Sequence, residues 1–325
     1  MQDRPSGTGG NRKWTFCEVF ALYMIEVEAL KKYFSTGILR KRHIKAVNGV
    51  SFQIEQGETL GLVGESGCGK TTIGKSLLRL IEPTGGKIIF DGIDLVHLKK
   101  KELRRIRPRM QMIFQDPDAS LNPRMKIEDS IAEPLKLRGG LNKVEIKEKV
   151  SELIETVGLN PEHVNRYPYQ LSGGQNQRVA LARVLAVNPD FIIADEPTSS
   201  LDVSVQAQIL NLMQDLKRKF DLTLLFISHD LEVVRHMSDR IAVMYRGKIV
   251  EIGIVNEIFD DAKHPYTNTL ISPASLEDQL IYEDIKDAGC VFYPRCPFAA
   301  EICCKKEPEM VEIGRGHWVL CDRVT

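Results

Sequence analysis

Nine consecutive residues, Gly64-Glu65-Ser66-Gly67-Cys68-Gly69-Lys70-Thr71-Thr72, carry the first chemistry legible in this chain. They read G-x-x-x-x-G-K-T directly after the apolar run Leu60-Gly61-Leu62-Val63. Glycines at this spacing let a backbone curl its N–H groups around a polyphosphate, and the helix that follows adds the positive end of its dipole. In such a P-loop the Lys70 ammonium would reach the β- and γ-phosphates, and the Thr71 hydroxyl would ligate Mg²⁺. A second group closes the apolar run Phe191-Ile192-Ile193-Ala194 with the carboxylates Asp195 and Glu196. Ligand crevices of α/β sheets lie at the carboxyl ends of strands. Asp195 there would hold the Mg²⁺ shell, and Glu196 would orient or deprotonate an attacking water. A third group, Leu171-Ser172-Gly173-Gly174-Gln175, sets two glycines before a helix expected over 177–187, another anion-seeking helix start.

The elements that must position these groups follow from periodicity. Short β-rich runs are expected at 25–27, 46–54, 59–63 and 87–90, with a helix over 70–81 after the P-loop. The stretch 117–186 reads as a largely helical insertion, because Val144, Ile146, Val150, Leu153, Ile154 and Val157 repeat at helical spacing. Strands at 191–194, 223–228 and 241–244 and a helix at 203–219 then resume an alternating α/β pattern. The turn Arg246-Gly247-Lys248 leads into a hairpin strand at 249–251. Residues 1–23 are expected to be a flexible N-terminal extension and Met24 the natural start. A secretory signal fits them poorly, since Glu18 interrupts the apolar segment.

Composition narrows the field. The 44 Lys and Arg residues balance the 44 Asp and Glu residues, so no basic field points to nucleic acid. No apolar run reaches the ~18 residues of a membrane-spanning helix. Of seven cysteines, Cys17 and Cys68 stand alone, whereas Cys290, Cys296, Cys303, Cys304 and Cys321 crowd the last stretch. In a chain with a nucleotide loop, such crowding suggests metal more than disulfides. Their spacing matches no common zinc ribbon, which prefers closely paired cysteines.

The Leu171 to Gln175 segment resembles the signature of ATP-binding cassette (ABC) proteins, whose ATP is sandwiched between the P-loop of one subunit and the signature of another. Other positions match that family in turn. Gln115, after Met112-Ile113-Phe114, falls where the family's glutamine contacts Mg²⁺ and water. His229 matches its switch histidine, Asp202 the aspartate of its dimer-contacting loop, and Phe34, in the aromatic pair Tyr33-Phe34, the residue that stacks on adenine, with Tyr33 read as a plain core or surface aromatic. Asn176 departs from the commonest signature, where a charged residue often stands. The resemblance implies an α/β P-loop nucleotide-binding domain over 24–262, with a mixed-sheet core, an antiparallel β subdomain, a helical subdomain (117–186) and a Cys-containing module over 263–325. ATP and Mg²⁺ would be bound by Phe34, Gly64, Ser66, Gly67, Cys68, Gly69, Lys70, Thr71, Thr72, Gln115, Asp195 and, from the signature side, Ser172, Gly173, Gly174, Gln175 and Asp202. Glu196, His229 and Gln115 would serve hydrolysis.

The stretches from Phe114 to Arg124, from Leu201 to Gln208, and His264-Pro265-Tyr266-Thr267 resemble the dipeptide, oligopeptide and nickel uptake branch of the family. That likeness implies import of peptides, with nickel as the alternative, and a second ATPase subunit that is the same chain or a different one. Two membrane permease subunits, an extracytoplasmic binding protein and a place at the cytoplasmic face of the membrane are implied with it. The branch's cysteine pattern implies a [4Fe-4S] cluster on Cys290, Cys296, Cys303 and Cys321, in a structural role. Cys304 is an alternative ligand, and Zn²⁺ or free thiols are the alternatives to the cluster. A soluble ABC ATPase serving nucleic acid or cluster assembly is the rival reading, disfavoured by the neutral charge.

Overall fold

The computed structural model describes residues 23–36, 42–116, 120–272 and 289–323. Residues 1–22 of the expected N-terminal extension, residues 117–119 at the head of the helical insertion and part of the 263–325 segment therefore lie outside the described residues, whereas Tyr23, counted in that extension, begins the first strand. Twelve strands are described: β1 (Tyr23–Thr36), β2 (Arg42–Glu55), β3 (Thr59–Val63), β4 (Gly85–Phe90), β5 (Ile93–Asp94), β6 (Met110–Ile113), β7 (Phe191–Asp195), β8 (Thr223–Ile227), β9 (Arg240–Tyr245), β10 (Lys248–Ile254), β11 (Met310–Gly314) and β12 (His317–Leu320). Among the helices are α1 (Lys70–Leu77), α2 (Lys100–Ile106), α3 (Ile127–Arg138), α4 (Lys143–Thr156), α5 (Gly173–Leu185) and α6 (Val203–Phe220). After them come α7 (Leu231–Met237), α8 (Val255–Asp260), α9 (Pro265–Ile271) and α10 (Glu301–Lys305).

The strands form two sheets, a four-stranded antiparallel one in the order β2-β1-β4-β5 and an eight-stranded mixed one in the order β11-β12-β10-β9-β3-β8-β7-β6. The five strands from β9 to β6 are parallel, and β10, β12 and β11 continue the sheet in antiparallel fashion. Every residue of β3, β7 and β8 is buried, as interior parallel strands require, so between the polar end residues Thr59, Asp195 and Thr223 these strands are continuously apolar rather than alternating. Period-2 geometry then deals their side chains to two cores. Phe191, Ile193, Leu225 and Ile227 join Ile25, Phe52 and Phe90 of the antiparallel sheet and Ile73 and Leu77 of α1. Ile192, Ala194, Leu224 and Phe226 face the other core, with Ile131, Leu153, Val179 and Ile209 from α3, α4, α5 and α6. Each such side chain taken from water contributes about 2 kcal/mol, and the two-sided burial keeps the carboxyl ends of β3 and β7 in fixed register.

Three local expectations shift. The helix after the P-loop stops at Leu77 instead of residue 81, and Arg79 beyond it takes a left-handed φ of 46°, with its guanidinium donating to the Leu95 and Leu98 carbonyls. The signature helix starts at Gly173, four residues earlier than periodicity indicates, because Ser172 caps it. Val144, counted on the apolar face of α4, is exposed at the first turn, where Asn142 accepts its N–H at 2.8 Å. The segment beyond 262 does not stand off from the rest. Its β11–β12 hairpin extends the main sheet through β10, and Phe292 and Leu320 enter the core that holds Phe226.

Candidate functional site

The P-loop joins β3 to α1, and neighbouring backbone crowds it from two sides. At Gly69 φ is 115°, and a β-carbon there would stand 2.1 Å from the Ala46 carbonyl oxygen, so only glycine fits. Gly64 abuts the Met244 carbonyl in the same way, and the Gly247 N–H of the β9–β10 turn donates to the Cys68 carbonyl at 2.9 Å. Ser66 and Gly67 are exposed at the tip, Cys68 is buried beneath it, and burial pushes the Cys68 thiol up from its ordinary range. The Lys70 ammonium, itself buried, spans the ring: it donates to the carbonyls of Gly64 at 2.7 Å and Glu65 at 3.1 Å and lies 3.8 Å from the Cys68 sulfur. Its charge is thus fixed inside the concavity where a polyphosphate would bind. Thr72, two residues further along α1, is half-buried, and its carbonyl accepts from the Ser76 hydroxyl at 2.7 Å.

Two further clusters assemble beside it. The Thr71 hydroxyl donates to Asp195 Oδ1 at 3.0 Å, so the two expected Mg²⁺ ligands, distant in sequence, meet at the ends of β3 and β7. Burial raises the Asp195 carboxyl above its usual range; the Thr71 hydrogen bond opposes that rise, and the neighbouring Glu196 charge adds to it. A divalent cation would relieve the strain of holding this carboxylate ionised. Glu196, at a left-handed φ of 48°, is held by its N–H donating to the Ile227 carbonyl. Its carboxylate lies between Gln115, whose Nε2 donates to Oε2 at 2.9 Å, and His229, whose Nδ1 is 3.2 Å from Oε1. Four strand ends therefore bring Glu196, His229, Gln115 and the expected metal ligands Thr71 and Asp195 together. A cleft of about 630 Å³ opens beside them, lined by Thr71, Gln115 and Asp195 on one wall and Pro134, Ala180 and Arg183 on the other.

Ser172, Gly173, Gly174 and Gln175 do not line that cleft. Ser172 accepts the Gln175 N–H at 3.3 Å, and the Gln175 side chain accepts the Ser172 N–H at 2.9 Å, a reciprocal cap on α5. Ser172 and Gly173 are exposed, whereas Gly174 is buried against α6: a β-carbon there would meet Val205 Cγ1 at 2.3 Å. Asp202 caps α6 by accepting the Val205 N–H at 2.9 Å, so the signature and the expected dimer-contacting loop pack together. Asn176 is buried and donates to the Pro168 carbonyl at 3.1 Å, which accounts for a neutral residue in that place. Phe34 lies on β1, part-exposed, with the Lys32 ammonium 5.0 Å from its ring centre; the Tyr33 hydroxyl is instead committed to Asn48 at 2.6 Å.

The comparisons with known proteins agree with this geometry. Residues 47–199 match the family model described as ABC transporter, and residues 250–303 match the one described as oligopeptide/dipeptide transporter, C-terminal region. The oligopeptide transport ATP-binding protein AppF of Bacillus subtilis is 46 % identical over 317 residues, covering 92 % of this chain and 96 % of that one. The chain belongs to the ABC transporter family. Within that family, a putative peptide import ATP-binding protein of Brucella ovis is 47 % identical over 312 residues, covering 92 % of this chain and 98 % of its own. The ATP-binding cassette MJ0796, solved as a dimer bound to ADP and Pi, superposes with a TM-score of 0.65 at 31 % identity, covering 71 % of this chain and 99 % of that one. This ABC ATPase thus has the mixed sheet, antiparallel sheet and helical region of its family, and it is an ATP-hydrolysing enzyme.

In this ABC ATPase the late cysteines occupy a separate place. Cys290, Cys296, Cys303 and Cys321 line one cavity of about 220 Å³, together with Phe292, Tyr293 and Arg323. Burial pushes the Cys290 thiol up to about 11, and the neighbouring Cys321, Cys296 and Cys303 add to the rise. Burial raises Cys296 in the same sense. Cys304 is turned aside, its sulfur 3.0 Å from the Glu301 carbonyl, and it is not among the cavity's lining residues. Among the described residues no three His, Cys, Asp or Glu side chains converge to hold a single metal ion. One zinc would require sulfurs about 2.3 Å from a common point. A multi-iron cluster, in which each thiolate binds its own iron, tolerates the wider spacing of a shared cavity.

Sequence reading missed Glu65, Tyr266 and Arg295, which join this cysteine region to the P-loop. Glu65 and Arg295 are separated by 230 residues, and no periodicity or motif spacing connects them.

Proposed function

We propose that this chain is a nucleotide-binding subunit of a peptide importer, working at the cytoplasmic face of the membrane as one half of an ATP-dependent dimer. The observation that carries the reading is the placement of the two glycine-bearing helix starts. Thr71, Asp195 and Gln115 line one cleft, Glu196 is bonded to Gln115 and His229 beside it, and Lys70 is held in the adjoining P-loop, while Ser172 and Gly173 are exposed and are not among the residues that line it. ATP bound by the first set would meet the signature of a second subunit. Hydrolysis then requires that partner: Lys70 binds the terminal phosphates, Thr71 and Asp195 hold the cation, Glu196 takes the proton of the attacking water, and His229 and Gln115 keep Glu196 in place. Mg²⁺, when bound, supplies charge neutralisation at the β- and γ-oxygens.

The peptide assignment rests on the match at residues 250–303 and on relatives bearing peptide-transport names, matched over 96 % and 98 % of their length. No helix among the described residues is long and apolar enough to cross a membrane, so force would pass to two permease subunits. The cleft wall of Pro134 and Arg183 is the surface where a permease segment would sense closure of the ATP dimer. An extracytoplasmic binding protein would deliver the peptide. Cys290, Cys296, Cys303 and Cys321 would hold a [4Fe-4S] cluster that braces the C-terminal segment, a reading supported by their shared cavity.

The test is light scattering of the Glu196→Gln chain with and without ATP, followed by ATPase assays of the complex captured with its permeases. ATP-dependent doubling of mass, abolished by Ser172→Arg, and stimulation by a peptide-loaded binding protein are expected. A chain that turns ATP over at full rate as a monomer overturns the shared-site reading. Iron and acid-labile sulfide near four per chain are expected of anaerobically prepared protein; iron-free protein of equal stability overturns the cluster.

A further inference from the structure

The outer limb of the P-loop is held by the cysteine region. The Glu65 carboxylate receives the Arg295 guanidinium, Nη1 lying 2.8 Å from Oε1 and 3.1 Å from Oε2. The Glu65 backbone N–H donates to the Tyr266 hydroxyl at 3.0 Å. Arg295 is itself pinned from behind, its guanidinium carbon 5.8 Å from the Tyr245 ring centre and 6.0 Å from that of Phe292. Tyr245, Tyr266 and Phe292, all fully buried, pack on one another with ring centres 4.5 to 5.5 Å apart. Tyr245 ends β9 next to Met244, whose carbonyl abuts Gly64. The first two residues of the P-loop thus sit between a core strand and a C-terminal aromatic cluster.

The segment that supplies the clamp is the seven-residue loop from Cys290 to Cys296. Its ends line the cysteine cavity, while Phe292 from its middle enters the aromatic cluster and Arg295 reaches Glu65. Displacing Cys290 or Cys296 moves both anchors, since only two residues separate Cys290 from Tyr293, whose N–H bonds back to the Cys290 carbonyl at 3.0 Å. Glu65 in turn supplies one of the two carbonyls that hold Lys70. A continuous set of contacts therefore runs from the cysteine cavity to the ammonium that binds phosphate.

We propose that Arg295 is a positioning residue for ATP binding, acting through Glu65, and that the conformation of the Cys290–Cys296 loop sets the nucleotide affinity of the P-loop. The proposal deepens the ATPase reading but does not require that the cysteines bind a cluster. Its substance is mechanical. Arg295 does not touch phosphate; it decides whether Gly64 and Glu65 present their carbonyls and N–H groups in the closed arrangement.

The experiment measures affinity for a fluorescent ATP analogue on the full-length chain carrying Arg295→Met, Arg295→Lys, Glu65→Gln and the Met/Gln double substitution. Arg295→Met is expected to weaken binding about tenfold, as misplacement of a cradle does, and Arg295→Lys to restore most of the loss. The double variant is expected to be no weaker than Arg295→Met alone. Additive effects, or wild-type affinity in Arg295→Met, overturn the proposal. A second cycle introduces Cys290→Ser with and without Arg295→Met. Loss of affinity that appears only when Arg295 is present supports transmission through the clamp, and equal loss in both backgrounds overturns it. Thermal unfolding of each nucleotide-free chain checks folding; if the methionine variant does not fold, Glu65→Gln, which breaks the same ion pair, carries the test, and wild-type affinity in it overturns the proposal. Iron content, measured in parallel, fails or succeeds independently of the affinity cycle.

Discussion

Two helix starts in this molecule look alike in sequence and differ in what surrounds them. Gly64 to Thr72 and Ser172 to Gln175 both set glycines ahead of a helix N-terminus, where backbone N–H groups and the dipole favour an anion. The first is enclosed: Ala46, Met244 and Gly247 press on it from the sheets, Asp195 faces it, and Tyr266 and Arg295 hold its outer limb. The second is capped only by itself and packed from below by Leu201 and Val205, with Ser172 and Gly173 in solvent. The same local chemistry therefore stands inside an enclosed cradle in one place and on open surface in the other.

The largest expected effect separates chemistry from assembly. Glu196→Gln should lower phosphate release by about 10²- to 10⁴-fold, as loss of a general base does, while leaving the ATP-dependent dimer visible by light scattering. If the dimer vanishes as well, Glu196 is not confined to the cradle half. Gly69→Ala should abolish ATP binding by calorimetry, because its β-carbon would lie 2.1 Å from a backbone oxygen at a φ of 115°, and backbone cannot yield there.

His264 tests the support behind the cradle. It is buried and caps α9, accepting the Tyr266 N–H at 3.1 Å, and burial lowers its pKa from 6.5 to about 4. A depressed folded value means that the neutral ring's contribution is full above pH 6.5 and is lost as pH falls toward 4, on the order of 3 kcal/mol in all. Urea denaturation should show that loss in the wild-type chain and a flatter profile in His264→Asn, which can still cap. Smaller effects are expected at the signature. Gly174→Ala should cost about 1–2 kcal/mol of stability through its encounter with the Val205 side chain, with ATP affinity of the isolated chain unchanged. Ser172→Ala should remove a cap at about 1 kcal/mol or less, seen in the melting temperature. Weakened ATP binding by the isolated chain in either variant would break the distinction between the two helix starts.

Much of the nucleotide half was legible before the fold. Interior strands such as β7 and β8 are unbroken apolar runs, and the carboxylates of Asp195 and Glu196 terminate one of them, so strand position and chemistry coincide in a few adjacent residues. The cap that moves the start of α5 to Gly173 was hidden in the same way that caps usually are, since Ser172 and Gln175 are polar and periodicity ignores them. The β11–β12 hairpin was not foreseen because its pairing with β10 joins segments more than sixty residues apart, and each strand is short.

The sequence by itself determined the chemistry of the two helix starts, the apolar strands that bear them and the five crowded cysteines of the last stretch, because each is a local pattern with a physical signature. Only the tertiary structure decided that Glu196 is bracketed by Gln115 and His229, and that Ser172, Gly173, Gly174 and Gln175 do not line the cleft of Thr71, Gln115 and Asp195. It also decided that Arg295 reaches Glu65. Those relations depend on side chains brought together by sheet order, and sheet order is set by long-range packing that no window along the chain contains.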